Sequence, residues 1–233
     1  MKPELIAAAL ARSPLFSQLD EPALLRLAGS TTIRTYRKGQ LVFLQGEPGE
    51  SLYVVAEGLL KLFVVSEEGE EMVLSTIGPP EIFGELAVID GRPRSTSAEV
   101  LEPARLIALT RSTLLDLLGR EPKLADALLR SIGARLRRLT EKASDLVFLD
   151  LHGRVVKLLL QMAGEQGPGD DEHVVLDLHV TQSDLAAMVG GSRQRVNQIL
   201  HAFEEQGRLE LSGRQIVFCP RTLRATASST GSG

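Results

Sequence analysis

The chain has 233 residues, a formal net charge of −4, 43% hydrophobic and 24% charged residues, a composition ordinary for a soluble globular protein and long enough for one large domain or two smaller ones. Its one cysteine, Cys219, excludes an intrachain disulfide and any thiolate cluster built within one chain, and no apolar run is long enough to span a membrane. The N-terminus opens an amphipathic segment with no signal-peptide cleavage pattern, so a cytoplasmic location is expected. Residues 4–12 and 20–29 then read as short helices, the first with Leu5, Ile6, Ala9 and Leu10 at helical spacing, the second with Asp20 as N-cap and Pro22 in its first turn.

From Thr31 to Leu109 the period changes. Apolar runs at Leu41–Leu44, Leu52–Val55, Leu60–Val64 and Met72–Ile77 are separated by turn signals at Glu47-Pro48-Gly49, Glu57-Gly58, Glu67-Glu68-Gly69, Gly78-Pro79-Pro80 and Asp90-Gly91. Short strands broken every ten residues or so by glycine and proline indicate an antiparallel sandwich or barrel, and a jelly-roll β-barrel is expected. Late in it comes Phe83-Gly84-Glu85-Leu86-Ala87, leading through Asp90-Gly91-Arg92-Pro93 to Arg94-Ser95-Thr96. Gly84 has no Cβ to keep a ligand from the backbone, Glu85 can accept from a sugar hydroxyl, and Arg94 offers a guanidinium fork with the Ser95 hydroxyl beside it. Residues Glu85–Val88 form a single helical turn in this reading, with its amides toward an anion. A buried Arg94 needs an anionic partner; a phosphate suits it, and Glu85 or Asp90 could serve instead. The histidines, His152, His173, His179 and His201, all follow this region and none pairs with another at metal-ligand spacing, so hydrolysis, metal and haem roles are not expected.

A short helix over Arg111–Glu121 breaks at Pro122, and a long one follows over about Lys123–Phe148. Leu129, Ile132, Leu136, Leu139, Ala143 and Leu146 recur along it in steps of three and four, a heptad seam suited to a parallel pair of helices from two subunits. Arg130, Arg135, Arg137, Arg138, Glu141 and Lys142 fall on the other face, which reads as solvated.

Asp150 is placed to cap a helix over Gly153–Gly164; Gln166–Glu172 reads as a polar loop and Val174–Leu178 as a strand. Thr181-Gln182-Ser183-Asp184 is a capping box that opens a helix, Gly190-Gly191 a turn, and Ser192 the cap of a second helix. In that helix Val196, Ile199, Leu200 and Phe203 face inward, which leaves Arg193, Gln194, Arg195, Asn197, Gln198 and His201 outward. Arginine reads guanine, and glutamine or asparagine reads adenine, so the pattern is that of a helix-turn-helix in the major groove of double-stranded DNA. Leu209–Phe218, folded at Ser212-Gly213, forms a hairpin wing with Arg214 set toward phosphate. From Leu151 onward eight Lys/Arg stand against nine Asp/Glu, so the DNA footprint is a local cluster rather than a bulk field. Residues 225–233 read as a disordered tail, and Cys219 as an inert, partly buried thiol.

Taken together these motifs resemble the CRP/FNR family of bacterial transcription regulators over roughly residues 10–220, with the cassette at Gly84–Thr96 similar to the phosphate-binding segment of cyclic-nucleotide-binding domains. The resemblance implies an α+β fold in four parts: a nucleotide-binding barrel (1–121), a dimerisation helix (122–149), a winged helix-turn-helix (150–224) and a tail (225–233). It implies cAMP as effector, held by Gly84, Glu85, Leu86, Arg94, Ser95 and Thr140, with no metal, haem or iron–sulfur cluster and no enzymatic activity. It implies a homodimer on a two-fold operator, contacted through Thr181, Ser192, Arg193, Gln194, Arg195, Asn197, Gln198 and Arg214, and RNA polymerase as a further partner. Two departures stand out. Leu139 occupies a position where a member of the family carries a base-reading threonine, which predicts weak ligand dependence or a ligand other than cAMP. The family form Ser-Arg-Glu-Thr-Val-Gly-Arg stands here as Ser192-Arg193-Gln194-Arg195-Val196-Asn197-Gln198, which predicts an altered operator. A ligand-independent activator of the same fold, and a nucleotide-binding signalling module without DNA recognition, are the alternative readings.

Overall fold

The computed structural model describes residues 2–165, 173–178 and 180–227, and the chain divides into two compact units, Met1–Val65 with Leu74–Leu139, and Ser66–Val73 with Thr140–Gly233. The expected loop Gln166–Glu172 lies outside the described residues.

In the first unit, α1 (Pro3–Arg12) and α2 (Glu21–Gly29) precede the sheet, and Asp20 caps α2 by accepting from the Ala23 N–H at 2.8 Å. Six strands follow: β1 (Thr32–Tyr36), β2 (Leu41–Phe43), β3 (Ser51–Val65), β4 (Glu71–Ile77), β5 (Ile82–Phe83) and β6 (Ser97–Thr110). They form an antiparallel jelly-roll sheet in the order β1-β6-β3-β4, with β2 also on β6 and β5 on β3. The long strands β3 and β6 carry it, because period-two alternation lets each supply two cores. Leu52, Val54, Ile107 and Leu109 pack with α1, α2 and the helices after the sheet; Tyr53, Val55, Leu106 and Ala108 pack inside the roll with Phe43, Ile77 and Phe83.

The Glu57-Gly58 turn expected from sequence is instead a bulge within one continuous strand, with the β3–β6 register shifting between Val55 and Leu60. Gly58 has φ +90°, and a Cβ there would sit 2.6 Å from the Ala104 Cα, so the glycine serves a close strand crossing, not a reversal.

The cassette helix α3 (Glu85–Asp90), α4 (Arg111–Arg120) and α5 (Pro122–Phe148) complete the helices as far as Phe148. Leu124, Ala127 and Leu128 at the start of α5 are buried in the helix-side core, and Ile132, expected in the seam, is half-buried against it. The remaining seam residues, Leu129, Leu136, Leu139, Ala143 and Leu146, form an exposed apolar stripe. The charged face is not simply solvated: Arg135 is drawn into the first unit, and in the second unit the half-buried Lys142 donates to the Val73 carbonyl.

The second unit holds α6 (Leu151–Glu165), β7 (Val174–Asp177), α7 (Gln182–Val189), α8 (Arg193–Glu205), β8 (Leu209–Ser212), β9 (Gln215–Phe218) and α9 (Pro220–Ala227). Its sheet runs β7-β9-β8, all antiparallel. Asp150 accepts from the Gly153 N–H at 2.8 Å, so it caps a helix that begins at Leu151, two residues before the expected Gly153. The Lys157 Nζ meets Asp145 at 2.6 Å, tying α6 back to the end of α5. The helix α9 was not expected; it takes Ala225–Ala227 from the expected tail, and residues 228–233 lie outside the described residues.

Candidate functional site

The chain stops β4 at Gly78-Pro79-Pro80, makes two residues of β5, and turns at Gly84, whose φ of +74° only glycine adopts readily. That turn opens onto a cavity. Gly84, Glu85, Leu86, Arg94 and Ser95 line it, together with Phe43, Leu62, Leu74, Ser75, Ala87 and Thr96. Arg135, Arg138 and Leu139 of α5 form a further wall; Thr140 is not among the lining residues.

Arg94 is the buried cation of this cavity, 5% exposed. Its Nη1 donates to the Gly84 carbonyl at 2.6 Å and its Nη2 to the Ser51 carbonyl at 2.7 Å, while the guanidinium lies 4.2 Å above the Phe43 ring. Phe43, Tyr53 and Phe83 stack behind it with centroids 5.2–6.1 Å apart. Its Nε is buried without a partner, and no carboxylate among the described residues pairs with it. Burial pushes the guanidinium below the ordinary arginine range; Tyr53, Glu47 and Glu85 act in the opposite direction. The backbone holds it in place from both sides: Arg94 N–H donates to the Glu47 carbonyl at 2.8 Å, and its carbonyl accepts from Gly46 at 2.9 Å. Gly49 belongs to this cradle, since a Cβ there would lie 2.4 Å from the Ala87 Cβ and 2.9 Å from the Arg94 Nε.

Glu85, 2% exposed, is not Arg94's partner. It pairs with Arg135, whose Nη1 reaches its two oxygens at 2.8 and 3.0 Å and whose Nη2 donates to the Ile82 carbonyl at 2.7 Å. Arg138 pairs with Glu81 at 3.3 Å. Of three lining arginines, two are thus met by carboxylates and Arg94 is left with a charge that carbonyls and a ring only partly offset. Asp90, the other expected partner of Arg94, instead accepts from the Arg92 N–H at 2.9 Å and fixes the following turn. Sequence missed Arg135 and Arg138; their only signal was their i, i+3 spacing on α5, which fixes a shared face but not what it meets.

In the second unit the capping box forms: Thr181 Oγ1 accepts from the Asp184 N–H at 3.1 Å and Asp184 Oδ2 from the Thr181 N–H at 2.9 Å. Ser192 caps α8 by accepting from the Arg195 N–H at 3.4 Å, and Val196, Ile199, Leu200 and Phe203 are buried. Arg193, Gln194, Arg195, Gln198 and His201 are exposed on the opposite face. Asn197 is not fully outward: half-buried, its Nδ2 donates to the Gln182 Oε1 at 3.0 Å, bracing α8 against α7. Arg214 donates from Nε and Nη2 to the Leu178 carbonyl at 3.2 and 3.0 Å, so part of its fork is spent within the wing. Arg154, overlooked in the sequence, donates to the Val189 carbonyl at 2.6 Å and anchors α6 to the C-terminal end of α7 beside Gly190, whose φ is +64°. Cys219 is half-buried, as expected, and hydrogen bonds from the Thr222 backbone and hydroxyl hold its thiol below the ordinary cysteine range.

Comparison with known proteins adds to this geometry. Residues 33–121 match the cyclic nucleotide-binding domain and residues 153–225 the Crp-like helix-turn-helix domain. The chain is 33% identical over 208 residues, 89% of its length and 93% of the relative's, to a CRP-like cAMP-activated global transcriptional regulator of Mycobacterium tuberculosis. It is 36% identical over 178 residues, 76% of its length and 79% of the relative's, to the cyclic AMP receptor protein of Thermus thermophilus. Among solved structures, the c-di-GMP responsive global regulator CLP of Xanthomonas campestris matches with a TM-score of 0.77 at 25% identity, covering 85% of this chain and 99% of that one.

Proposed function

This chain belongs to the CRP/FNR family of transcription regulators, and from that premise we propose that its cavity binds a cyclic purine nucleoside monophosphate to control DNA binding, cAMP, the effector named for its relatives, being the first to test. It is a regulator with a helix-turn-helix, not an enzyme. The observation that carries the ligand class is Arg94. One buried cation without a carboxylate partner, beside two arginines that already have one, suits a ligand with a single negative charge. A cyclic phosphodiester has that charge.

In this reading Arg94, Ser95 and the backbone at Gly84 take the phosphate, and Glu85 accepts from the ribose 2′-OH while Arg135 holds it in place. Leu86 covers the sugar. The exposed stripe Leu129, Leu136, Leu139, Ala143 and Leu146, with Ile132, joins two copies into a parallel dimer. The dimer sets two α8 helices about one DNA turn apart. Arg193, Gln194, Arg195 and Gln198 then read base edges, with Thr181, Ser192, Asn197 and Arg214 at the phosphates or in support. The protein acts in the cytoplasm, on a two-fold operator, with RNA polymerase as the downstream partner.

A second reading, DNA binding without any effector, is favoured by two features: Arg135 already engages Glu85, and Leu139 strengthens the seam without a ligand. Calorimetry of the full chain with cAMP, beside operator binding by fluorescence anisotropy, decides between them. Binding in the wild type that weakens about a hundredfold in Arg94→Leu is the expected result, since the variant leaves the phosphate without its buried cation. No binding of any cyclic nucleotide, with tight operator binding nonetheless, would establish the second reading.

A further inference from the structure

The cavity's polar groups fall into two sets. Gly84, Glu85, Arg94, Ser95, Thr96 and Arg135 gather at the cassette, where the phosphate and ribose are placed; what remains is the apolar Phe43, Leu62, Leu74, Leu86, Ala87 and Leu139, with Ser75 on β4 and Arg138 on α5. A purine resting on this apolar wall therefore meets two polar lining side chains outside the cassette that can read its edge. The Ser75 hydroxyl either donates or accepts and does not discriminate, whereas Arg138 only donates.

Arg138 is well placed for that role. Three residues after Arg135 on α5, it shares a helix face with a side chain already committed to the cassette. Its present partner, Glu81, is anchored independently: the Glu81 Oε2 accepts from the Gly78 N–H at 3.2 Å while Oε1 meets Arg138 at 3.3 Å. With Arg138 56% and Glu81 35% exposed, this is a surface pair that contributes little, and Glu81 keeps a hydrogen bond when Arg138 leaves it. The guanidinium can turn from Glu81 to the base at small cost.

A donor-only fork distinguishes the purines. Guanine and hypoxanthine present two adjacent acceptors, O6 and N7, which a guanidinium meets bidentately; adenine presents one acceptor, N7, next to a donor amine that the fork repels. Leu139, at the position expected to read adenine, has no acceptor for that amine. We propose that Arg138 is the base-reading residue of this site and that the cavity favours a 6-oxopurine cyclic nucleotide over a 6-aminopurine one. This rests on reading the cavity as a cyclic nucleotide site.

The test is calorimetric titration of the full-length protein with cAMP, cGMP and cIMP, the last having O6 and N7 without guanine's 2-amino group. The wild type should bind cGMP and cIMP at least about fivefold more tightly than cAMP, the lower end of what a bidentate base contact discriminates. Arg138→Leu should bring all three within about twofold by weakening the two 6-oxopurines, and Arg138→Lys, a point charge without the fork, should do the same. Tighter binding of cAMP than of cGMP by the wild type would overturn the proposal, as would equal weakening of all three ligands in Arg138→Leu, and either result leaves the nucleotide site itself intact. A preference for cGMP not shared by cIMP would also overturn it, since the reader would then be the 2-amino group's partner. Binding of none of the three would overturn the nucleotide site and this proposal together.

Discussion

Arg135 and Glu85, 50 positions apart, meet through one guanidinium nitrogen at 2.8 and 3.0 Å from the two carboxylate oxygens. The same guanidinium donates to Ile82, so α5 holds the cassette on both sides of Gly84. Removing one member of such a pair leaves a nearly buried charge alone. Arg135→Leu should cost about 3 kcal/mol in urea denaturation, and the Glu85→Gln/Arg135→Leu double variant less than the sum of its singles by about 1–3 kcal/mol. Additive singles would mean that the pair carries no coupling.

Gly84 and Gly39 offer a matched comparison. Both have φ in the left-handed region, +74° and +80°, but a Cβ at Gly84 would fall 2.6 Å from the Arg94 Nη1, whereas at Gly39 nothing lies within 4 Å. Alanine at either position should cost about 1–2 kcal/mol of backbone strain. Only Gly84→Ala should also weaken cyclic nucleotide binding, because it alone moves Arg94. Equal binding by the two variants would separate Arg94 from the ligand.

The seam makes its own prediction. Leu136 is 63% exposed and Leu129 68%, large apolar side chains presented on one face of α5. Leu136→Arg should raise the dimer dissociation constant about a hundredfold in analytical ultracentrifugation, as expected when a buried interface anchor becomes a charge, and should leave the thermal midpoint of the monomer unchanged. An unchanged sedimentation profile would move the interface elsewhere.

On α8 the exposed Arg193 and the braced Asn197 should behave differently. Arg193→Ala should lose about 1–3 kcal/mol of operator affinity and relax selection at one base pair. Asn197→Ala removes the bond to Gln182 and should lower stability by about 0.5–1.5 kcal/mol while keeping the selected sequence. Binding-site selection on both variants, beside urea melts, checks the pair.

Cys219 gives the pH dependence. Thr222 donates to its thiolate from backbone and hydroxyl, Arg221 adds a favourable charge, and slight desolvation opposes them, so the deprotonated form is reached at lower pH than in a free cysteine. Alkylation by iodoacetamide should reach half its limiting rate below the free-thiol midpoint, and Thr222→Val should move that midpoint back up. As the chain has one cysteine, mass spectrometry reads the rate without ambiguity.

The local parts of this protein were legible in its sequence. Asp20, the Thr181–Asp184 box and the Val196–Phe203 stripe act through neighbours three or four residues away, and a chain read in order contains those neighbours. Glu57-Gly58 misled because the glycine of a bulge and the glycine of a turn have the same left-handed backbone; the strand that crosses at Ala104 distinguishes them. Arg135 and Arg138 read as solvent-facing for a similar reason. Their partners, Glu85 and Glu81, arrive through the roll of the sheet, and no period along α5 announces them. The α9 helix sits in a stretch too short and too polar to show an apolar stripe.

Because α5 carries Arg135 and Arg138 on one bearing and Leu129 and Leu136 on another, it keeps angular phase along its length. One residue inserted after Arg138 would turn everything beyond it by about 100°, so Ala143 and Leu146 would leave the stripe begun by Leu129 while every side chain upstream stayed in place. Seven inserted residues would nearly restore the bearing but lengthen α5 before the break at Leu149-Asp150 by about 10 Å. Substitutions on this helix change how strongly a contact is made; insertions and deletions change which contacts exist. Its length is therefore held more tightly than its composition, and relatives that differ at many of its positions are expected to count the same number of residues between the cassette's arginine and the cap at Asp150.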